Sequence, residues 1–137
     1  MIDVIIADHQ EVFRIGMAEV FGAADDIRIV GVPSCPKQLL VTLTTVNPHV
    51  LILSRNFLRA LPKIRRLLKG RQAASLVLTE EDDPVAYMRL FGAHGILHRS
   101  MEGSAMVDIV RHVAQNETLA EDASPDALEN PPNLPAA

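Results

Sequence analysis

The sequence predicts a doubly wound α/β domain, a parallel sheet of five strands covered by helices on both faces. Three observations predict it. Five short runs are rich in β-branched and aliphatic residues. Most of them are continuously apolar rather than alternating, which is how strands buried on both faces read. Each is followed by a stretch with helical spacing, and strand–helix alternation with short connections gives parallel strands joined by right-handed crossovers.

The elements follow in order. The first run, Asp3–Ala7, leads into Glu11–Ala23, where Val12, Phe13, Ile15, Met17, Val20 and Phe21 lie on and around one helical stripe. After Ile27–Val32 comes Pro36–Val46, which opens on a proline whose fixed φ and missing N–H suit a first helical turn. Val50–Leu53 precedes Pro62–Lys69, a similar case. Ser75–Leu78 precedes Asp83–Phe91, with Asp83 as N-cap and Pro84 behind it. Gly95–Leu97 precedes Met101–Ala114, where Met106, Ile109, Val110 and Val113 fall at i, i+3, i+4 and i+7. Five strands and five helices in this alternation predict the flavodoxin-like strand order 2-1-3-4-5.

Composition sets the boundaries. At 137 residues and 48% hydrophobic content the chain holds one packed domain. The net charge of −4 argues against a surface built throughout for nucleic acid. The charge is uneven: from Gln115 onward there are five acids, no base and four of the nine prolines, whereas residues 1–114 carry thirteen bases and twelve acids. The expected organisation is a domain over residues 1–114 and a solvated acidic, proline-rich linker or tail over 115–137. A single cysteine, Cys35, excludes a disulfide framework and a multi-cysteine zinc site. With neither a secretory leader nor an apolar run approaching the ~18 residues of a membrane span, the expected location is the cytoplasm, with no membrane partner.

Ligands of doubly wound sheets bind beyond the carboxyl ends of the strands. The residues there are Asp8 and His9, then Ser54, Arg55 and Asn56, then Thr79 and Glu80, then His98, Arg99 and Ser100. No glycine-rich loop follows the first strand, which argues against a dinucleotide or P-loop site. His94 and His98 have i, i+4 spacing, but Gly95 and the start of a strand lie between them, unlike a zinc-binding helix. Arg55 to Arg71 holds seven bases and no acid. It reads first as a solvated face around Ile64, Leu67 and Leu68, and otherwise as a contact surface for an acidic partner, the chain's own tail or a phosphate backbone.

Val4-Ile5-Ile6-Ala7-Asp8 with Phe13-Arg14-x-Gly16-Met17, Asn47-Pro48-x-Val50-Leu51-Ile52-Leu53, Leu76-Val77-Leu78-Thr79 and Gly92-Ala93-His94-Gly95-Ile96-Leu97 together resemble the CheY-like receiver domain of bacterial two-component response regulators, of the NarL/FixJ (LuxR) type. The resemblance covers residues 1–114. It implies two acids after the first strand to hold Mg²⁺, an aspartate after the third to accept a phosphoryl group, a hydroxyl after the fourth to respond, and a lysine after the fifth to neutralise phosphoryl charge.

This sequence departs from that pattern at three places: the second acid is His9, the acceptor is Ser54 and the lysine is Arg99, while Asp8 and Thr79 are retained. The expectation is a degenerate phosphorylation pocket of Asp8, His9, Ser54, Thr79 and Arg99, with no catalytic residue, no cofactor, and Mg²⁺ binding weak or absent, Asp8 being at most a lone ligand. An Asp8–Arg99 ion pair is expected across it, because a guanidinium fork fits a carboxylate. The functional expectation is a non-enzymatic, phosphorylation-independent receiver that regulates signalling and transcription through protein contact, chiefly as a homodimer. A histidine kinase or another regulator is a candidate partner, and DNA would be reached only through a helix-turn-helix output domain that this sequence does not contain. Two alternatives stand beside it: phosphorylation at an unconventional site such as Ser54, and a pocket refilled by a small anionic ligand held by Arg99, His9 and Ser54. Candidate interface residues are Tyr87, Leu90 and Phe91 with Met101, Met106 and Ile109, some of which must be core.

Overall fold

In the computed structural model, which describes residues 1–80 and 93–115, strands and helices alternate along the chain. They are β1 (Ile2–Ala7), α1 (Glu11–Gly22), β2 (Ile27–Gly31), α2 (Pro36–Leu43), β3 (Val50–Ser54), a 3-10 turn (Arg55–Ala60) that runs into α3 (Leu61–Leu68), β4 (Ala74–Thr79), β5 (Gly95–His98) and α4 (Gly103–Gln115). The helix expected at Asp83–Phe91, with Tyr87, Leu90 and Phe91, lies outside the described residues, as does the tail beyond Gln115.

The sheet order is β2-β1-β3-β4-β5 with every described pair parallel, the predicted doubly wound arrangement. The continuous apolar runs have the expected cause. Successive side chains of a strand point to opposite faces, so a strand covered on both sides needs apolar residues at every position. Val4, Ile6, Val50, Ile52, Leu76 and Leu78 point to one face and pack with Met17 and Phe21 of α1 and Met106, Val107 and Val110 of α4. Ile5, Ala7, Leu51 and Leu53 point to the other, against Leu39 and Leu43 of α2 and Leu61 and Ile64 of α3.

Met106 is only 4% exposed and belongs to the first core, so it is not available to an interface. Its spacing fits both roles, and packing decides for the core. Met101 and Ile109 are half-buried and rest against the same core.

Helix α2 stops at Leu43, short of the expected Val46. Asn47 precedes Pro48, which disfavours helical backbone there. The Thr44 hydroxyl bonds back to the Val41 carbonyl at 2.6 Å. Arg71, the last base of the run Arg55–Arg71, then closes the helix end: its Nη1 donates to the Leu43 and Val46 carbonyls at 2.8 and 3.4 Å. That base is structural rather than part of a free charged face. Among the described residues, no helix is long and apolar enough to cross a membrane.

Candidate functional site

The parallel register brings the site together. Ala7 pairs with Leu53, Ser54 with Leu78, and Thr79 with His98. The carboxyl ends of β1, β3, β4 and β5 therefore finish at one level, and Asp8, Ser54, Thr79 and Arg99 stand at or just beyond them. Asp8, Ser54 and Thr79 are the buried polar residues of the described chain, at 0%, 0% and 2% exposure. Burial of three polar side chains at one sheet edge, inside an otherwise apolar core, marks the site before any chemistry is assigned to it.

Asp8 and Arg99 form a fork. Arg99 Nη1 donates to Asp8 Oδ2 at 2.8 Å and Nη2 to Oδ1 at 3.1 Å. The same Oδ1 accepts the Gln10 amide at 3.2 Å, and His9 Nδ1 stands 3.3 Å from it. The guanidinium is held from other sides as well. Its Nε lies 2.9 Å from Glu80 Oε1, and its Cζ sits 4.4 Å from the centroid of the Phe13 ring. Its backbone is fixed by the Arg99 amide donating to the Thr79 carbonyl at 3.0 Å. Arg14 Nη1 completes the loop by donating to the Asp8 carbonyl at 2.8 Å. The ion pair expected from the sequence is thus present. The roles of Phe13 and Arg14 were not foreseen, although both stand in the Phe-Arg-x-Gly element five and six residues after Asp8.

The other members are less engaged. Thr79 Oγ1 donates toward the Leu97 carbonyl at 3.4 Å and lies 3.2 Å from His98 Nδ1, so its hydroxyl is bonded locally. The buried Ser54 Oγ has no hydrogen-bond partner among the described residues. His94 belongs to the opposite end of β5, where its Nδ1 accepts the Ser75 amide at 3.0 Å, so it and His98 do not form a pair. Among the described residues no three metal-ligating side chains converge.

The donor set does not fit Mg²⁺. That ion asks for near-ideal octahedral oxygen coordination, supplied by carboxylates and water. The buried carboxylate here is Asp8, and Arg99 engages both of its oxygens. A cation would have to displace a guanidinium that already neutralises the acid.

Electrostatics agree with that reading. Burial works to raise the Asp8 carboxyl, but the hydrogen bond from Arg99, the Gln10 amide and the charge of Arg99 outweigh it and hold the group below its ordinary value. Burial works to lower Arg99, but Asp8 and Glu80 outweigh it and raise the group, so the guanidinium stays charged. A depressed carboxyl contributes stability above its unfolded value of about 3.9 and loses it as pH falls through the lower folded value. The urea midpoint is therefore expected to hold from neutrality to about pH 5 and to fall below it. Asp8→Asn, measured over the same range, is expected to be less stable at pH 7 and to give a shallower acid limb. An unchanged limb would remove Asp8 from the account. The exposed pairs Arg28–Asp3 and Arg111–Asp26 titrate in the same window but contribute little, being solvated.

No protein-family model matches the chain. The nitrate/nitrite response regulator NarL of Escherichia coli K12 is 26% identical over 126 residues, which cover 88% of this chain and 58% of NarL. The chain thus spans less than two thirds of that relative. The signal receiver domain of the response regulator NarL from Mycobacterium tuberculosis superimposes with a TM-score of 0.74 at 19% identity, covering 83% of this chain and 96% of that one. A CheY-like receiver domain protein from Methanospirillum hungatei gives 0.72 at 15% identity, covering 85% and 97%. In sequence the chain is a homologue of the NarL response regulators, and it has the fold of their receiver domains.

Proposed function

We propose that this receiver domain works without aspartyl phosphorylation and regulates signalling through protein contact, with a second copy of itself as its first partner. The observation that carries the reading is the Asp8–Arg99 fork beside Ser54. A carboxylate nucleophile at the acceptor place would attack phosphorus directly. A serine hydroxyl there needs a base to take its proton, and the buried carboxylate of the site is already committed to Arg99. The positive charge that metal and lysine would bring to a phosphoryl group is spent on neutralising Asp8.

The switch then lies elsewhere. Helix α1 leaves Val12 83% and Ile15 58% exposed, one turn apart, which supports it as the contact face. Met101 and Ile109 offer only their half-buried edges. Regulation of transcription would come through an output domain joined to the receiver, since the protein relatives are response regulators longer than this chain.

The test is amide NMR of the full chain with and without Mg²⁺ and beryllofluoride, together with sedimentation velocity. The native protein is expected to show no shift at Asp8, Ser54, Thr79 or Arg99 and to sediment as a dimer. The triple variant His9→Asp/Ser54→Asp/Arg99→Lys restores the acids and the lysine that the family pattern asks for. It is expected to respond at Asp8 and Thr79, which shows that the assay can report an occupied pocket. A response of the native protein would return the pocket to phosphoryl or anion recognition and sink the proposal.

A further inference from the structure

Helix α2 carries an apolar surface that the domain does not use. Val41, in the middle of the helix, is 63% exposed, and Val32, just after β2, is 45% exposed. Two open grooves meet at Val41. One, of about 420 Å³, runs between α2 and α3 over Leu40 and Leu67 and is edged by Lys63 and Arg66. The other, of about 440 Å³, runs past Val32 and Lys37. Three bases and no acid line the pair. Arg59 and Arg65 are exposed on the flanking turn and helix and Lys69 just past the helix end, and none of them has an ion-pair partner among the described residues. An apolar floor with a basic rim is the complement of an acidic peptide carrying spaced apolar side chains.

This chain contains such a peptide. Residues 116–137 hold Glu117, Glu121, Asp122, Asp126 and Glu129 with no base, and place Leu119, Leu128 and Leu134 among them. We propose that this segment docks on its own domain in the α2–α3 groove, its Leu128 and Leu134 over Leu40, Val41 and Leu67 and its carboxylates against Lys63 and Arg66.

Reach allows it. Twenty-two residues (116–137) extend to roughly 70 Å, against a radius of gyration of about 13 Å for a domain of this size. Tethering also helps, because a segment joined covalently to its binding surface is held there at an effective concentration on the order of millimolar, so a weak contact is well populated. Two other occupants fit less well. A second copy seated through the same face would set bases against bases. A phosphate backbone would meet the valine and leucine floor, with no aromatic side chain there on which a base could stack.

The experiment is paramagnetic relaxation enhancement on the full chain, with a nitroxide on Ser124→Cys in a Cys35→Ser background. Docking predicts that amide signals of Val41, Thr44, Lys63, Arg66 and Leu67 lose more than half their intensity against the reduced label. The loss should shrink severalfold in 1 M salt, where the Debye length is about 3 Å. It should also disappear in Lys63→Glu/Arg66→Glu and in Glu121→Gln/Asp122→Asn/Asp126→Asn, the second of which leaves the domain untouched. No loss at the groove overturns the proposal, and so does a loss that survives both charge variants. Loss seen when spin-labelled protein is mixed with isotope-labelled, nitroxide-free protein would place the tail on another copy and overturn the intramolecular docking.

Discussion

Replacing Arg99 by alanine is expected to cost about 3–5 kcal/mol of folding stability, because it leaves a carboxylate buried with its charge uncompensated. Asp8 is fully buried, and no second cation forks it: Arg14 reaches its backbone carbonyl, and His9 stands 3.3 Å away with its own side chain 42% exposed. The loss corresponds to a fall in melting temperature of roughly 10–30 °C for a domain of this size. The comparison that gives the number meaning is a double-mutant cycle with Asp8→Asn. Removing the charge and the guanidinium together, as Asp8→Asn/Arg99→Ala, is expected to cost less than the sum of the two single losses, since an amide left in the pocket can still accept the Gln10 N–H and has no charge to neutralise. A cycle in which the two losses simply add would mean that Arg99 acts through its packing on Phe13 rather than through Asp8. Either result bears on function. Strong coupling means the pocket is closed by its own residues, and a cation or phosphoryl group would have to overcome that coupling to enter.

The parallel sheet covered on both faces was legible because its physical cause is local, whereas the strand order followed from the usual doubly wound arrangement. Strands covered on both faces show unbroken apolar runs, and Ile5 and Ile6 serve opposite cores from adjacent positions. The place of the candidate site was legible for a topological reason: parallel strands must end at one level, so the residues after β1, β3, β4 and β5 come together, and the resemblance to receivers picked Asp8, Ser54, Thr79 and Arg99 from among them. What was not legible depends on packing between elements. The same period placed Met106 on a candidate interface and in the core, and only the seating of α4 on β1, β3 and β4 decides between them. The stacking of Phe13 on Arg99 joins residues far apart in sequence that share no pattern. The 3-10 turn Arg55–Ala60 escaped because six residues carry no amphipathic period long enough to read.

That turn holds the second large effect. Phe57→Ala is expected to destabilise the protein by about 3–5 kcal/mol, the range for emptying an aromatic side chain from a core. Phe57 is fully buried and packs in the cluster that joins β1 and β3 to α2 and α3, with Leu53, Leu61 and Ile64 among its members. A turn of poor hydrogen-bond geometry is held in place by what it buries, and here it buries Phe57 on one side and Leu58 against Val77 on the other. Urea unfolding should therefore show a lower midpoint with an unchanged m-value, the mark of lost packing in an otherwise intact native state. The turn begins immediately after Ser54, so the cavity is also expected to shift the amides of Ser54 and Arg55 at the site. Lys63→Glu, on the exposed face of the adjoining helix, is expected to stay within about 0.5 kcal/mol of the native protein. Should Phe57→Ala prove equally mild, the turn would be held by its backbone alone, and β3 would end at Ser54 for reasons independent of the α2–α3 core.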